Sequence, residues 1–149
     1  MITWRRTAPV QASAEDTFDV IGTNVAANQP KWEKEVQEVR LLTAGPIGVG
    51  SRAVMVRREM GRTRESEYEV TEFQPGASIA FRHPHDALGF ALRFRVAPVA
   101  TDRCELTVDV SAEPKGALRL MAPMLRLGFP KRCQRITDSM IQLVEASAS

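Results

Sequence analysis

The hydrophobic pattern changes period three times along the chain. Residues 2–11 alternate weakly between apolar and polar, the period-two signature of a strand. Ser13 stands three residues before Asp16, close to a capping box, so a short helix is predicted there with Phe18 and Ile21 on one face. Gly22 and Asn24 break it, a second helical turn runs from about Val25 to Asn28, Pro30 ends that segment, and Trp32 follows. From Glu33 period two returns and predicts strands over 34–43, 51–60, 63–73, 77–83, 88–98 and 103–113. Glycine-rich or Pro-Gly links separate the first of these: 43–50, Gly61 and Gln74-Pro75-Gly76. Hairpin follows hairpin, so the sheet is expected to be antiparallel. After Pro114 the spacing of Leu118, Met121, Leu125, Cys133, Ile136, Met140 and Leu143 is helical and predicts one long helix to Glu145. Pro123, Gly128 and Pro130 fall in its first half, so a kink or break is expected near 128–130, with a regular helix from Lys131 and a frayed tail over 146–149.

The order is strand, two short helices, six strands, one long helix, which makes the fold class α+β. A sheet with one apolar face has to cover it, and only the last helix is long enough. The sheet must therefore curl around that helix, in a helix-grip arrangement of about seven strands, and the space left between them is the natural place for a site.

Composition narrows the function. A chain of 149 residues is the size of one domain, 1–149. With 44% hydrophobic and 26% charged residues it is neither a disordered tail nor a fibre. The net charge of +2 comes from dispersed residues, so no nucleic-acid partner is expected. No apolar run nears the ~20 residues of a membrane span. No secretory leader is visible either, so stable membrane insertion is not expected and the expected compartment is the cytoplasm. Cys104 and Cys133 lack metal-ligand spacing and read as free thiols. There is no nucleophile elbow and no phosphate loop, and Gly45, Gly48 and Gly50 sit between strands as turn residues. His83-Pro84-His85-Asp86 is expected to be a solvated turn between hairpin strands, without the third ligand a metal would need. No metal or cofactor is predicted.

Four local patterns resemble a known family. They are Val10-Gln11-Ala12-Ser13-Ala14-Glu15-Asp16-Thr17-Phe18-Asp19-Val20 at the strand-to-helix junction, Asn28-Gln29-Pro30-Lys31-Trp32, Gly45-Pro46-Ile47-Gly48-Val49-Gly50-Ser51-Arg52, and Tyr68-Glu69-Val70-Thr71-Glu72-Phe73-Gln74-Pro75. Together they resemble the START-like (SRPBCC) superfamily, in particular its polyketide cyclase/dehydrase and lipid-transport group. The resemblance spans essentially the whole chain.

Period two puts Phe90, Leu92 and Phe94 on one face, Ile79 and Phe81 on another, and Tyr68 and Val70 on a third. Taken alone, these faces fit a packed core as well as a pocket. The resemblance implies a pocket for a hydrophobic small molecule such as a lipid, isoprenoid or polyketide-like compound. It would be lined by Trp32, Tyr68, Val70, Ile79, Phe81, Phe90, Leu92 and Phe94, with Met121, Met124, Leu125 and Phe129 facing them from the helix. The same cavity would suit a polyketide cyclase/dehydratase-type enzyme, with Tyr68, Arg64 or a loop histidine moving protons. A regulatory protein-interaction module is the third alternative, and the chain would act as a monomer or homodimer. The register of strand 63–73 turns on electrostatics. Turning Glu65, Glu67 and Glu69 inward would bury three unpartnered carboxylates, so Tyr68 is expected to point in.

Overall fold

The computed structural model describes residues 1–148. Strand β1 (Ile2–Val10) leads into helix α1 (Ala14–Phe18), a π-helical turn over 19–23, and helix α2 (Val25–Trp32). Six strands follow: β2 (Val36–Leu41), β3 (Arg52–Glu59), β4 (Arg62–Gln74), β5 (Ser78–Arg82), β6 (Ala91–Ala100) and β7 (Arg103–Ala112). A 3-10 turn over 116–121 then feeds helix α3 (Ala122–Ala148). All strand pairs are antiparallel, in the order β1-β7-β6-β5-β4-β3-β2. The first strand thus closes onto the last. The sheet curves around α3, the helix-grip arrangement that the element order predicts.

Ser13 caps α1 as expected, its hydroxyl accepting from the Asp16 amide at 3.0 Å. Gly22 does not stop the helical path. The π turn carries the chain past it, and the Phe18 ring lies where a Cβ would sit, at 2.6 Å. Pro30 does not end α2 either. A proline near the last turn forfeits a single amide bond, and the Glu33 amide still reaches the Gln29 carbonyl at 3.0 Å.

The expected interruption of the C-terminal helix is also absent. α3 runs unbroken through Gly128 and Pro130, and the irregular stretch is the 3-10 turn before it. Burial of Phe129 and Cys133 on one side, with Thr137, Met140 and Val144 beyond, holds both halves on the same face of the sheet. The predicted fraying is not seen over 146–148, where the Ser147 hydroxyl donates to the Leu143 carbonyl; Ser149 lies outside the described residues.

The core is built by the inward positions. Val10, Phe18, Ile21, Val25, Ile79, Leu106, Met140 and Val144 are almost wholly removed from water. On β4, Tyr68 and Val70 point in. Glu65, Glu67 and Glu69 point out to Arg40, Arg52 and Arg82. Arg93 and Arg95 pair outside with Glu72 and Asp109.

One hairpin carries visible strain. Glu59 pairs with Arg62, leaving Met60 and Gly61 as a two-residue loop, both at positive φ. Such a loop favours Asn-Gly, and a methionine there pays a steric penalty. Met60 is also fully exposed. Met60→Asn should therefore stabilise the fold by about 1 kcal/mol in urea denaturation.

Candidate functional site

The inward faces of β4, β5 and β6 meet α2 around a small enclosed cavity of about 20 Å³. It is lined by Val25 and Gln29 of α2, Tyr68 of β4, Phe81 of β5, His83 just beyond it, and Leu92 and Phe94 of β6. The wall is aromatic. Tyr68 meets Phe81 edge-to-face at 5.1 Å and His83 at 5.6 Å, and Phe81 meets Phe94 at 5.7 Å. The volume suits about one water, far below the ~300 Å³ of a typical small-molecule pocket, so side chains nearly fill the interior here.

Three polar side chains interrupt this mainly apolar wall: Gln29, whose Nε2 donates to the Met55 sulfur at 3.3 Å, Tyr68 and His83. The Tyr68 hydroxyl is buried with no hydrogen-bond partner among the described residues. Burial pushes its pKa up, so it remains a neutral phenol. His83 is buried as well, its Nδ1 lying 3.0 Å from the Ser66 hydroxyl. Burial drives its pKa down to about 4, Asp86 opposing and Arg57 reinforcing the shift, so the ring is neutral at pH 7. The cavity thus offers a phenol donor without an acceptor beside an uncharged imidazole. Both are suited to the carbonyl or hydroxyl of an otherwise apolar molecule. Among the described residues no three metal-ligating side chains cluster.

Of the residues predicted to bind a ligand, Tyr68, Phe81, Leu92 and Phe94 line this cavity. Trp32, Val70 and Ile79 are buried in the core around it. Phe90 stacks on Phe129 at 6.2 Å, tying the end of the 83–90 loop to α3, and Leu125 is half-buried. Met121 and Met124 face away, 44% and 70% exposed. The helix can turn only one face to the sheet, and Leu125, Phe129 and Cys133 take it.

His83 corrects the expectation of a solvated turn. Pro84 and Asp86 do make a turn, with the Asp86 carboxylate capping the Leu88 amide. But position 83 continues the inward alternation of Ile79 and Phe81, and that parity is the signal that would have found it. Gln29 and Val25 enter from α2, which no strand pattern could place. Cys133 is a buried thiol, its pKa raised to about 11 chiefly by burial, and is not poised as a nucleophile.

The wider opening is elsewhere. A solvent-exposed cleft of about 630 Å³ lies between the β3–β4 hairpin and α3, lined by Glu35, Arg58, Glu59, Met60, Gly128, Lys131, Arg132 and Arg135. Ion pairs bridge it, Arg132 to Glu59 at 2.7 Å and Arg135 to Glu35 at 3.0 Å. Just inside, Arg57 pairs with the buried Glu33 at 2.5 Å and with Glu59 at 3.0 Å. Partial burial works against a charged Glu59, but hydrogen bonds from Arg132 and Arg57 outweigh it and hold its carboxyl below the usual range.

A curved antiparallel sheet gripping one long helix around an apolar interior defines a START-like protein. The chain belongs to the polyketide cyclase / dehydrase and lipid transport family, which it matches over residues 1–145. Among solved structures it is similar to a START superfamily protein from Mycobacterium smegmatis, with TM-score 0.75, 20% identity and 97% of each chain covered. It is also similar to the Zhui aromatase/cyclase from a Streptomyces species, with TM-score 0.77, 14% identity, and 99% of this chain and 93% of that one covered. Norcoclaurine synthase from Thalictrum flavum, solved with dopamine and hydroxybenzaldehyde, has TM-score 0.69 and 16% identity, with 99% and 88% covered. No curated protein sequence matches the chain.

Proposed function

We propose that the protein binds a hydrophobic small molecule, of the lipid, isoprenoid or polyketide-like kind, in the cavity between the sheet and α2, widened toward α3, and orients one polar group of it on Tyr68 and His83. The observation that carries this reading is the Tyr68 hydroxyl, buried with no hydrogen-bond partner among the described residues in a mainly apolar wall. An unsatisfied buried hydroxyl costs about 1–3 kcal/mol, a cost with a use if a ligand oxygen meets it. The interior must widen to admit such a molecule. Leu92 and Phe94 would have to repack, and the 83–90 loop would have to lift from residues 113–115, to which it is tied by two backbone hydrogen bonds.

Native mass spectrometry of the purified protein, followed by denaturing extraction, tests the reading directly. One apolar adduct per chain supports it. An empty protein that gains no thermal stability from lipids, quinones or aromatic polyketides overturns it. Tyr68→Phe sharpens the test. The empty variant should be more stable than the parent by about 1 kcal/mol, while its affinity for the extracted ligand falls about tenfold.

A second reading, a cyclase/dehydratase-type enzyme, is favoured by the neutral His83 ring beside a neutral phenol. That pair can pass a proton to and from an enolisable ligand. Turnover of the extracted ligand, abolished in His83→Gln with binding retained, separates catalyst from carrier.

A further inference from the structure

We propose that the segment from Lys115 to Lys131 docks on an anionic lipid bilayer surface. The two halves of the C-terminal helical region differ in a way the fold does not require. Both turn apolar residues to the sheet. Beyond Lys131, the outward positions are polar or charged, as expected of a solvated helix. Before it, large apolar side chains also face outward, between the exposed Arg119 and Arg126: Leu120 is 87%, Met124 70% and Leu127 80% exposed, with Met121 beside them. Met60 of the strained hairpin, completely exposed, stands across the shared cleft from Gly128 and Lys131 and extends the same surface.

Charge identifies the partner. Between Glu113 and Asp138 there are six basic residues, Lys115, Arg119, Arg126, Lys131, Arg132 and Arg135, and no acidic one. Arg132 and Arg135 are engaged by Glu59 and Glu35, whereas among the described residues no ion pair is seen for Lys115, Arg119, Arg126 or Lys131. A helix with flexible apolar side chains on its outer face and long cationic ones around them suits the plane of a membrane interface. There the apolar groups enter the acyl boundary and the cations reach anionic headgroups. No helix among the described residues is long and apolar enough to cross a membrane, so the association is peripheral.

The test is co-sedimentation of the full chain with vesicles of phosphatidylglycerol and phosphatidylcholine in roughly equal parts, against pure phosphatidylcholine vesicles. Binding to the anionic vesicles should be at least tenfold tighter, and should weaken in about 1 M salt, where charges are screened within about 3 Å. Arg119→Gln with Arg126→Gln should lose at least tenfold, and Leu120→Ser with Leu127→Ser a similar amount. These side chains are exposed, so thermal melts should match the parent. Met60→Asn provides an independent check, since it should bind vesicles several-fold less while melting higher. Absence of binding to anionic vesicles overturns the proposal and leaves the face to an acidic protein partner. Binding unaffected by the leucine changes overturns it in favour of electrostatic adsorption. A dimer that the leucine changes dissolve, with no vesicle binding, assigns the face to a second copy of the chain.

Discussion

Arg57→Leu should destabilise the protein by about 3 kcal/mol, the low end of the range for breaking a buried ion pair. Arg57 is little exposed and sits between Glu33, which is buried at the end of α2, and Glu59, which in turn holds Arg132 of α3. One guanidinium therefore ties the short helices to the sheet and, through Glu59, to the long helix. Removing it leaves the Glu33 carboxylate buried without its cation, and desolvation rather than lost attraction dominates the cost. The double variant Glu33→Leu with Arg57→Leu should recover most of the loss, because no uncompensated charge remains. Urea denaturation of the parent, both single variants and the double variant checks this. If the single and double variants are equally destabilised, the pair contributes packing and not charge compensation.

Stability should fall by about 3 kcal/mol as the pH drops from about 6.5 to about 4, through His83 alone. The sign follows from proton binding. In the unfolded chain the imidazole titrates near its ordinary 6.5. In the fold, burial lowers it to about 4, with Arg57 adding to the shift and Asp86 opposing it. Across that window the unfolded state holds the extra proton, so acid favours unfolding; above it the contribution is fully present, and below it no further loss accrues. Glu59 adds a loss at the acid end, because its lowered carboxyl must be protonated against Arg132 and Arg57. His83→Gln keeps a hydrogen-bonding group toward Ser66 without the titration. Its stability profile should be flatter than the parent's by about 1.4 kcal/mol per pH unit inside the window. Parallel profiles would mean that His83 is not held neutral in the interior.

Local pattern carried much of this molecule. Alternation decided which side chains of each strand face inward. The cost of burying Glu65, Glu67 and Glu69 chose the register of β4, and their outward pairing with arginines agrees with that choice. The Ser13 cap and the order of hairpins were equally readable, because they depend on residues close in sequence. Pro30 and Pro130 misled, since a proline's local penalty is about 3 kcal/mol and the burial of Trp32, Phe129 and Cys133 opposes it. Met121 and Met124 misled for a related reason. Helical spacing finds an apolar face, but it does not say that a second, opposite face is left in water.

By itself, then, the sequence determined the element order, the antiparallel hairpins, the inward Tyr68 and the family resemblance, all properties of neighbouring residues and short periods. Tertiary structure alone decided that Ser66 and Tyr68 are the neighbours His83 meets, that Gln29 closes the cavity from α2, and that Arg57 binds Glu33 and Glu59 together. It also decided that the interior is nearly filled. These contacts join residues distant in the chain, and their energies come from desolvation, which exists only once the sheet has wrapped the helix and excluded the solvent.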